Sequence, residues 1–155
     1  SSDVCSSDLY LARSQRQLHK MAKLVLTNPS IVIGSTDLSN YVTSVTLDTK
    51  YDIVETTAFG DTAKKRVAGL ADNSISLEFQ QDFASSAVEA TVYPLLGTAV
   101  TVTIKPVAST VTTVNPSYAV SALVSEWQPL KGGIGQLATA SVTWPVSGAI
   151  TKATS

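Results

Sequence analysis

The chain has 155 residues, with 11 Lys and Arg against 12 Asp and Glu, a formal net charge of −1 and a hydrophobic share of 44%, enough for one domain with a buried core. The slightly acidic balance argues against a nucleic-acid-binding surface, which is normally basic. No apolar run approaches the roughly 20 residues that cross a bilayer, and no secretory apolar region precedes a cleavage site.

The opening SSDVCSSDL is a near-repeat of Ser, Asp and Leu with no period that a helix or strand could use. It resembles a conceptual translation of the adapter oligonucleotides used in short-read sequencing, and such scars stand outside fold reasoning. Residues 1–20 are expected to be a non-native leader, an adapter scar followed by translated upstream sequence from Tyr10 to Lys20, or else a disordered arm. Residues 21–155 are expected to form a single β domain. Both Cys5 and His19 precede Met21, so 21–155 lacks the commonest zinc ligands and the commonest general base. It carries eight Lys and Arg against ten Asp and Glu.

In chain order, SIVIG (30–34) and YVTSVTLD (41–48) read as a shorter strand pair joined by the turn-rich STDLSN. The next 24 residues, TKYDIVETTAFGDTAKKRVAGLAD (49–72), have weaker periodicity. They contain Ile53, Val54, Phe59, Val67 and Leu70, too much apolar surface for a solvated linker. A hairpin extension that folds against something is predicted, and another copy of the chain could be that something. NSISLEFQ (73–80) alternates Ile75, Leu77 and Phe79 against Ser74, Ser76, Glu78 and Gln80, the period of a half-buried strand. In SSAVEATVYPLLG (85–97), Ser86 and Glu89 match a capping box, and Val88, Val92 and Leu95 or Leu96 recur at helical spacing. A short helix is predicted to lie on the sheet, stopping near Tyr93 because Pro94 removes a donor, with Gly97 as the exit.

Three further strands follow. AVTVTIKP (99–106) alternates about Val100, Val102 and Ile104. SYAVSALVSEWQPL (117–130) is apolar on both faces, as a central or partner-covered strand would be. LATASVTWPVSG (137–148) alternates Ala138, Ala140, Val142 and Trp144 against Thr139, Ser141 and Thr143. The fold class that results is mainly β: a β-sandwich or partly closed barrel of about six or seven strands with one short flanking α-helix.

No catalytic constellation is recognisable, and no catalytic, cofactor-binding or metal-binding residue is assigned. The KGGIGQ run (131–136) lacks the order of a phosphate loop and reads as a β-turn. Asp48, Asp52 and Glu55 lack the spacing of a calcium loop and read as a solvated turn. Asp61 and Asp72 would make a two-carboxylate pair only if the loop between them closed. Lys64, Lys65 and Arg66 form the one basic run, either an intersubunit salt-bridge site or a solvated loop tip. Trp127 and Trp144, each placed in a strand, read as core or interface packing, and Phe79, Phe83 and Tyr93 as packing the helix onto the sheet. The candidate subunit-interface residues are Ile53, Val54, Phe59, Asp61, Lys64, Lys65, Arg66 and Val67.

The order IVIGSTDLSNYVTSVTLD, ETTAFGD, a basic run, VAGLADNSISLEFQQDF, a helix ending YPLLG, VTVTIKP and NPSYAVSALVSEWQPLKGGIGQLATASVTWP resembles the small tail tube proteins of long-tailed bacteriophages with actinobacterial hosts. The likeness covers nearly all of Met21 to Ser155. It implies a non-enzymatic virion protein without cofactors, whose copies form hexameric rings that stack into a tube for passing DNA. Its implied partners are itself, other tail proteins and, transiently and non-specifically, DNA; its implied place is the virion tail, after assembly in the host cytoplasm. The family's long early loop, which reaches neighbouring subunits or rings, corresponds here to Lys50 through Leu70. A capsid decoration or head-tail connector protein, a surface binding module using Trp127, and an enzyme using only Asp48, Asp52, Asp61 and Glu78 are the alternatives.

Overall fold

The computed structural model describes residues 23–155, so the expectations for residues 1–20, with Cys5 and His19, lie outside the described residues. The strands are β1 (Ser30–Ile33), β2 (Thr36–Asp37), β3 (Val42–Asp48), β4 (Tyr51–Glu55), β5 (Arg66–Ala71), β6 (Asn73–Gln80), β7 (Ala99–Lys105), β8 (Ser117–Leu123), β9 (Thr139–Val146) and β10 (Thr151–Ala153). One α-helix, α1 (Val88–Val92), lies between β6 and β7. The fold is mainly β with a single short helix among the described residues, as predicted. The ten strands exceed six or seven because β2 and β10 are very short and the extension contributes two of its own.

Eight strands form one antiparallel sheet in the order β2-β1-β7-β8-β9-β6-β3, with β10 beside β8. β8 meets β9 through one register pair, Ala122 with Val146, and gives the rest of that edge to β10. There the sheet folds over on itself without closing. Ile31, Ile33, Val102 and Val120 from one wing share a single core with Ile75, Phe79, Val142 and Trp144 from the other. Period-two alternation drives this arrangement: in β6, Ile75, Leu77 and Phe79 are buried while Ser76 and Glu78 are half-buried. Each large apolar side chain so buried contributes roughly 1.5–3 kcal/mol.

Pro145 sits inside β9 without breaking it. The neighbouring Thr143 N–H points away from β6 and donates to the Glu126 carboxylate at 2.8 Å. Two residues on, Pro145 faces that same side, away from β6, where its missing donor leaves no gap in the β6 ladder. Asn115, in the connection from β7 to β8, is buried and fully bonded: its Oδ1 accepts from the Val107 N–H at 3.0 Å, and its Nδ2 donates to Val107 O, Ser109 Oγ and Thr110 O.

Four expectations are corrected. SIVIG and YVTSVTLD do not pair: β1 lies between β2 and β7, and β3 forms the far edge beside β6. Buried Leu38 and the 3-10 turn Ser39–Tyr41 carry the chain across the core, and the Ser39 hydroxyl accepts the Ile31 N–H at 2.9 Å. The capping box does not form, because Ser86 adopts a φ of 66° and Ala87 takes the N-cap position with no side-chain bond. Phe83 and Tyr93 are exposed; Val88, Val92 and half-buried Leu95 seat the helix against the core. Trp127 lies in the connection after β8, where the chain leaves the sheet, and only Trp144 stands in a strand. As predicted, the helix stops at Val92 and passes through a 3-10 turn containing Pro94 to Gly97, whose φ is 81°.

Candidate self-assembly interface

The β3–β6 ladder ends with Asp48 opposite Ser74, and the two chains continue together out of the body. At the root, the Asp72 N–H donates to Lys50 O at 2.9 Å and the Lys50 ammonium meets the Asp72 carboxylate at 2.9 Å, which raises the Lys50 pKa. Beyond it β4 and β5 form a two-stranded sheet of their own, pairing Tyr51 with Ala71, Ile53 with Ala68, Val54 with Val67 and Glu55 with Arg66. The register shifts between Tyr51 and Ile53. Gly69 sits there because a Cβ would stand 3.1 Å from Val54 Cγ2 and 3.2 Å from Asp52 Cβ.

This arm is a hairpin, as predicted, and every residue of β4 is exposed. Val54 and Val67 share one face and Ile53 lies on the other, so both faces are apolar and open. Ile53 is 73% exposed, and Phe59 at the tip fully so. An isolated two-stranded hairpin is marginal in water, and a contiguous exposed apolar surface marks an interaction site.

The arm's charges are largely spent within it. Lys64 pairs with Glu55 at 3.2 Å and Lys65 with Asp61 at 2.5 Å, while Arg66 makes no ion pair among the described residues. The Asp61 carboxylate accepts the Ala58 N–H at 2.9 Å, and that bond, then Lys65, holds it below the usual carboxylate range. Asp61 is at the tip and Asp72 at the root, so the ribbon holds the proposed carboxylate pair apart. Asp48, Asp52 and Glu55 are spread along the strands, and no cluster suited to a metal occurs among the described residues.

A second exposed apolar segment escaped the sequence reading. In the connection from β8 to β9, Leu130, Ile134 and Leu137 are all largely exposed. KGGIGQ does form a turn there, with the Gln136 N–H donating to Gly133 O at 3.1 Å and Gly135 at a φ of 79°. Glu89 anchors the segment: its Oε2 accepts from Trp127 Nε1 at 2.8 Å and from Gln81 Nε2 at 3.0 Å, and Gln81 Nε2 also reaches Pro129 O at 2.7 Å. Trp127 packs edge-on to Phe79 with centroids 5.9 Å apart. Glycines and apolar residues interleaved in 130–137 were the available signal.

No protein-family model matches the chain, and no curated protein does. Solved structures do. A chain of the PVC sheath-tube complex of an extracellular contractile injection system in the extended state aligns with a TM-score of 0.67 at 13% identity, over 90% of this chain and 97% of that one. A chain from the PVC sheath/tube terminator aligns at 0.66 and 13%, over 86% and 98%. This chain shares its fold with chains of those sheath-tube assemblies. A chain in the virion of a native gene transfer agent particle extends the likeness, with a TM-score of 0.60 at 10% identity over 79% and 95%. At these identities what is shared is the fold. Among the described residues no helix is long and apolar enough to cross a membrane.

Proposed function

We propose that this chain is a non-enzymatic virion structural protein that self-assembles into stacked rings forming a phage tail tube, a conduit for DNA. The observation that carries the reading is the arm, a ribbon apolar on both faces that leaves the body and packs on none of it. Its Ile53, Val54, Phe59 and Val67 supply the apolar contact with a neighbouring copy, and Asp61, Lys64, Lys65 and Arg66 the polar surround. The unpaired outer edge of β3 offers a second template for a neighbour. The likeness in fold to chains of sheath-tube assemblies and of a gene transfer agent virion supports assembly with itself and with other tail proteins, and a place in the virion tail; assembly in the host cytoplasm is part of the same reading. Sixfold rings, and a long-tailed phage of an actinobacterial host, are what the resemblance of the sequence phrases to that family implies. The acidic balance suits passage, because a basic lumen would bind phosphate and brake the genome.

The test removes the arm. Replacing residues 51–71 by a two-residue turn joins Lys50 to Asp72, which are already hydrogen-bonded across the root. The shortened chain is expected to fold and remain monomeric in light scattering, while the full chain forms rings or cylinders in negative-stain images. Cylinders built without the arm would overturn the proposal.

A further inference from the structure

The body holds a largely apolar cavity of about 520 Å³ beside the root of the arm. Leu47 of β3 and the neighbouring Thr49 line one side, and Ile104 of β7, Tyr118 of β8 and Ile150 line the other. Two cations, Lys105 and Lys152, also line it, and neither makes an ion pair among the described residues. The Lys152 ammonium lies 5.9 Å from the Tyr118 ring centroid, and the Lys105 ammonium 3.5 Å from Ser109 O. Sites that enclose a small organic group measure roughly 300–1,000 Å³, so an aromatic side chain fits with room to spare.

The same chain presents an aromatic ring that it leaves in water. Phe59 is 111% exposed at the arm tip, and Asp61 follows two residues later. It cannot enter its own cavity while the arm is intact. The five residues of β4, at about 3.4 Å each, hold the tip about 17 Å beyond the root that borders the cavity. A knob and a socket on different parts of one molecule give a head-to-tail contact, which closes into a ring or continues as a stack according to its angle.

We propose that Phe59 of one copy seats in the Leu47, Ile104, Tyr118 and Ile150 cavity of a neighbouring copy, bringing Asp61 beside Lys105 and Lys152. The inference rests on the self-assembly proposed above and names the surface that receives the arm. Asp61 keeps its bonds to Ala58 and Lys65, so the contact extends a charge network of alternating sign from Lys65 through Asp61 to the cavity lysines.

A photoreactive benzophenone analogue of phenylalanine at position 59 of the full chain, in a mixture of isotopically light and heavy copies, tests this directly. The expected cross-links join position 59 of one isotope to peptides holding Leu47–Thr49, Ile104–Pro106 or Ile150–Lys152 of the other. Oligomers whose cross-links fall in 130–137, or within the same copy, overturn this inference and leave self-assembly standing; a chain that forms no oligomer overturns both. Separately, Phe59→Ala is expected to raise the concentration at half-assembly about thirtyfold, the effect of losing a hot-spot aromatic. Thr49→Trp, which crowds the cavity mouth, should act in the same direction. Both positions are exposed, so circular dichroism should report an unchanged fold. Assembly of Phe59→Ala at the parent concentration overturns the proposal.

Discussion

The body and the arm are made of the same kind of β-ribbon and are held together by different physics. In the body, β6 lies between β3 and β9, and its apolar face reaches a core shared by both wings. In the arm, the continuation of that hairpin pairs only with itself and leaves apolar side chains on both faces in water. The Val-, Ile- and Leu-bearing strands that stabilise the sandwich stabilise nothing in the arm until a second surface arrives. The difference lies in where the hairpin leaves the core.

The largest effect that should separate the two regions is at Trp144. Its ring is fully buried and its Nε1 donates to Glu126 O at 2.9 Å. Trp144→Ala removes the largest core side chain and is expected to cost about 3–5 kcal/mol, read as a lower urea midpoint. The loss should be global, since the core unites both wings. Stability unchanged by more than about 0.5 kcal/mol, the usual size of a surface substitution, would break the distinction between core and arm.

Glu89 comes next. Its carboxylate is shared by Trp127 and Gln81, and removing it leaves two half-buried donors without that acceptor. Glu89→Ala is expected to cost roughly 1.5–3 kcal/mol. Hydrogen exchange should rise in α1 and across 124–138 and stay constant in β4 and β5. Equal loosening of the arm would mean that the two regions are coupled.

What could be read in advance follows the same division. β6, β7 and β9 each bury alternate residues, so their period of two was legible, and Pro94 marked the helix end through a local steric rule. The apolar load of 49–72 predicted a hairpin that needs a partner. Pairing partners were less legible: β1 sits beside β7, about 70 residues away in sequence, because the core selects neighbours that local pattern does not encode. The Ser86/Glu89 spacing matched a cap, yet Glu89 was drawn instead to Trp127 and Gln81, a contact 38 residues distant in the first case. The cavity beside the arm root belongs to β3, β7 and β8 jointly, so no single segment announced it.

The smallest effect sharpens the comparison by touching the arm tip alone. The Ala58 N–H, and after it Lys65, hold the Asp61 pKa below its unfolded value. A depressed carboxylate contributes stability that is fully present above the unfolded pKa of about 4 and is lost as pH falls through the folded one. The tip turn, with the Ala58 N–H on Asp61 and the Asp61 N–H on Ala58 O, should therefore open in acid. Asp61→Asn should remove the acid dependence at the tip and leave the urea midpoint of the body unchanged. The measurement is the Ala58 amide shift by NMR in the monomeric range, titrated from neutral to low pH. An Ala58 shift that titrates identically in Asp61→Asn would assign the transition to another group, and the tip would no longer count as a locally built, separately titrating unit.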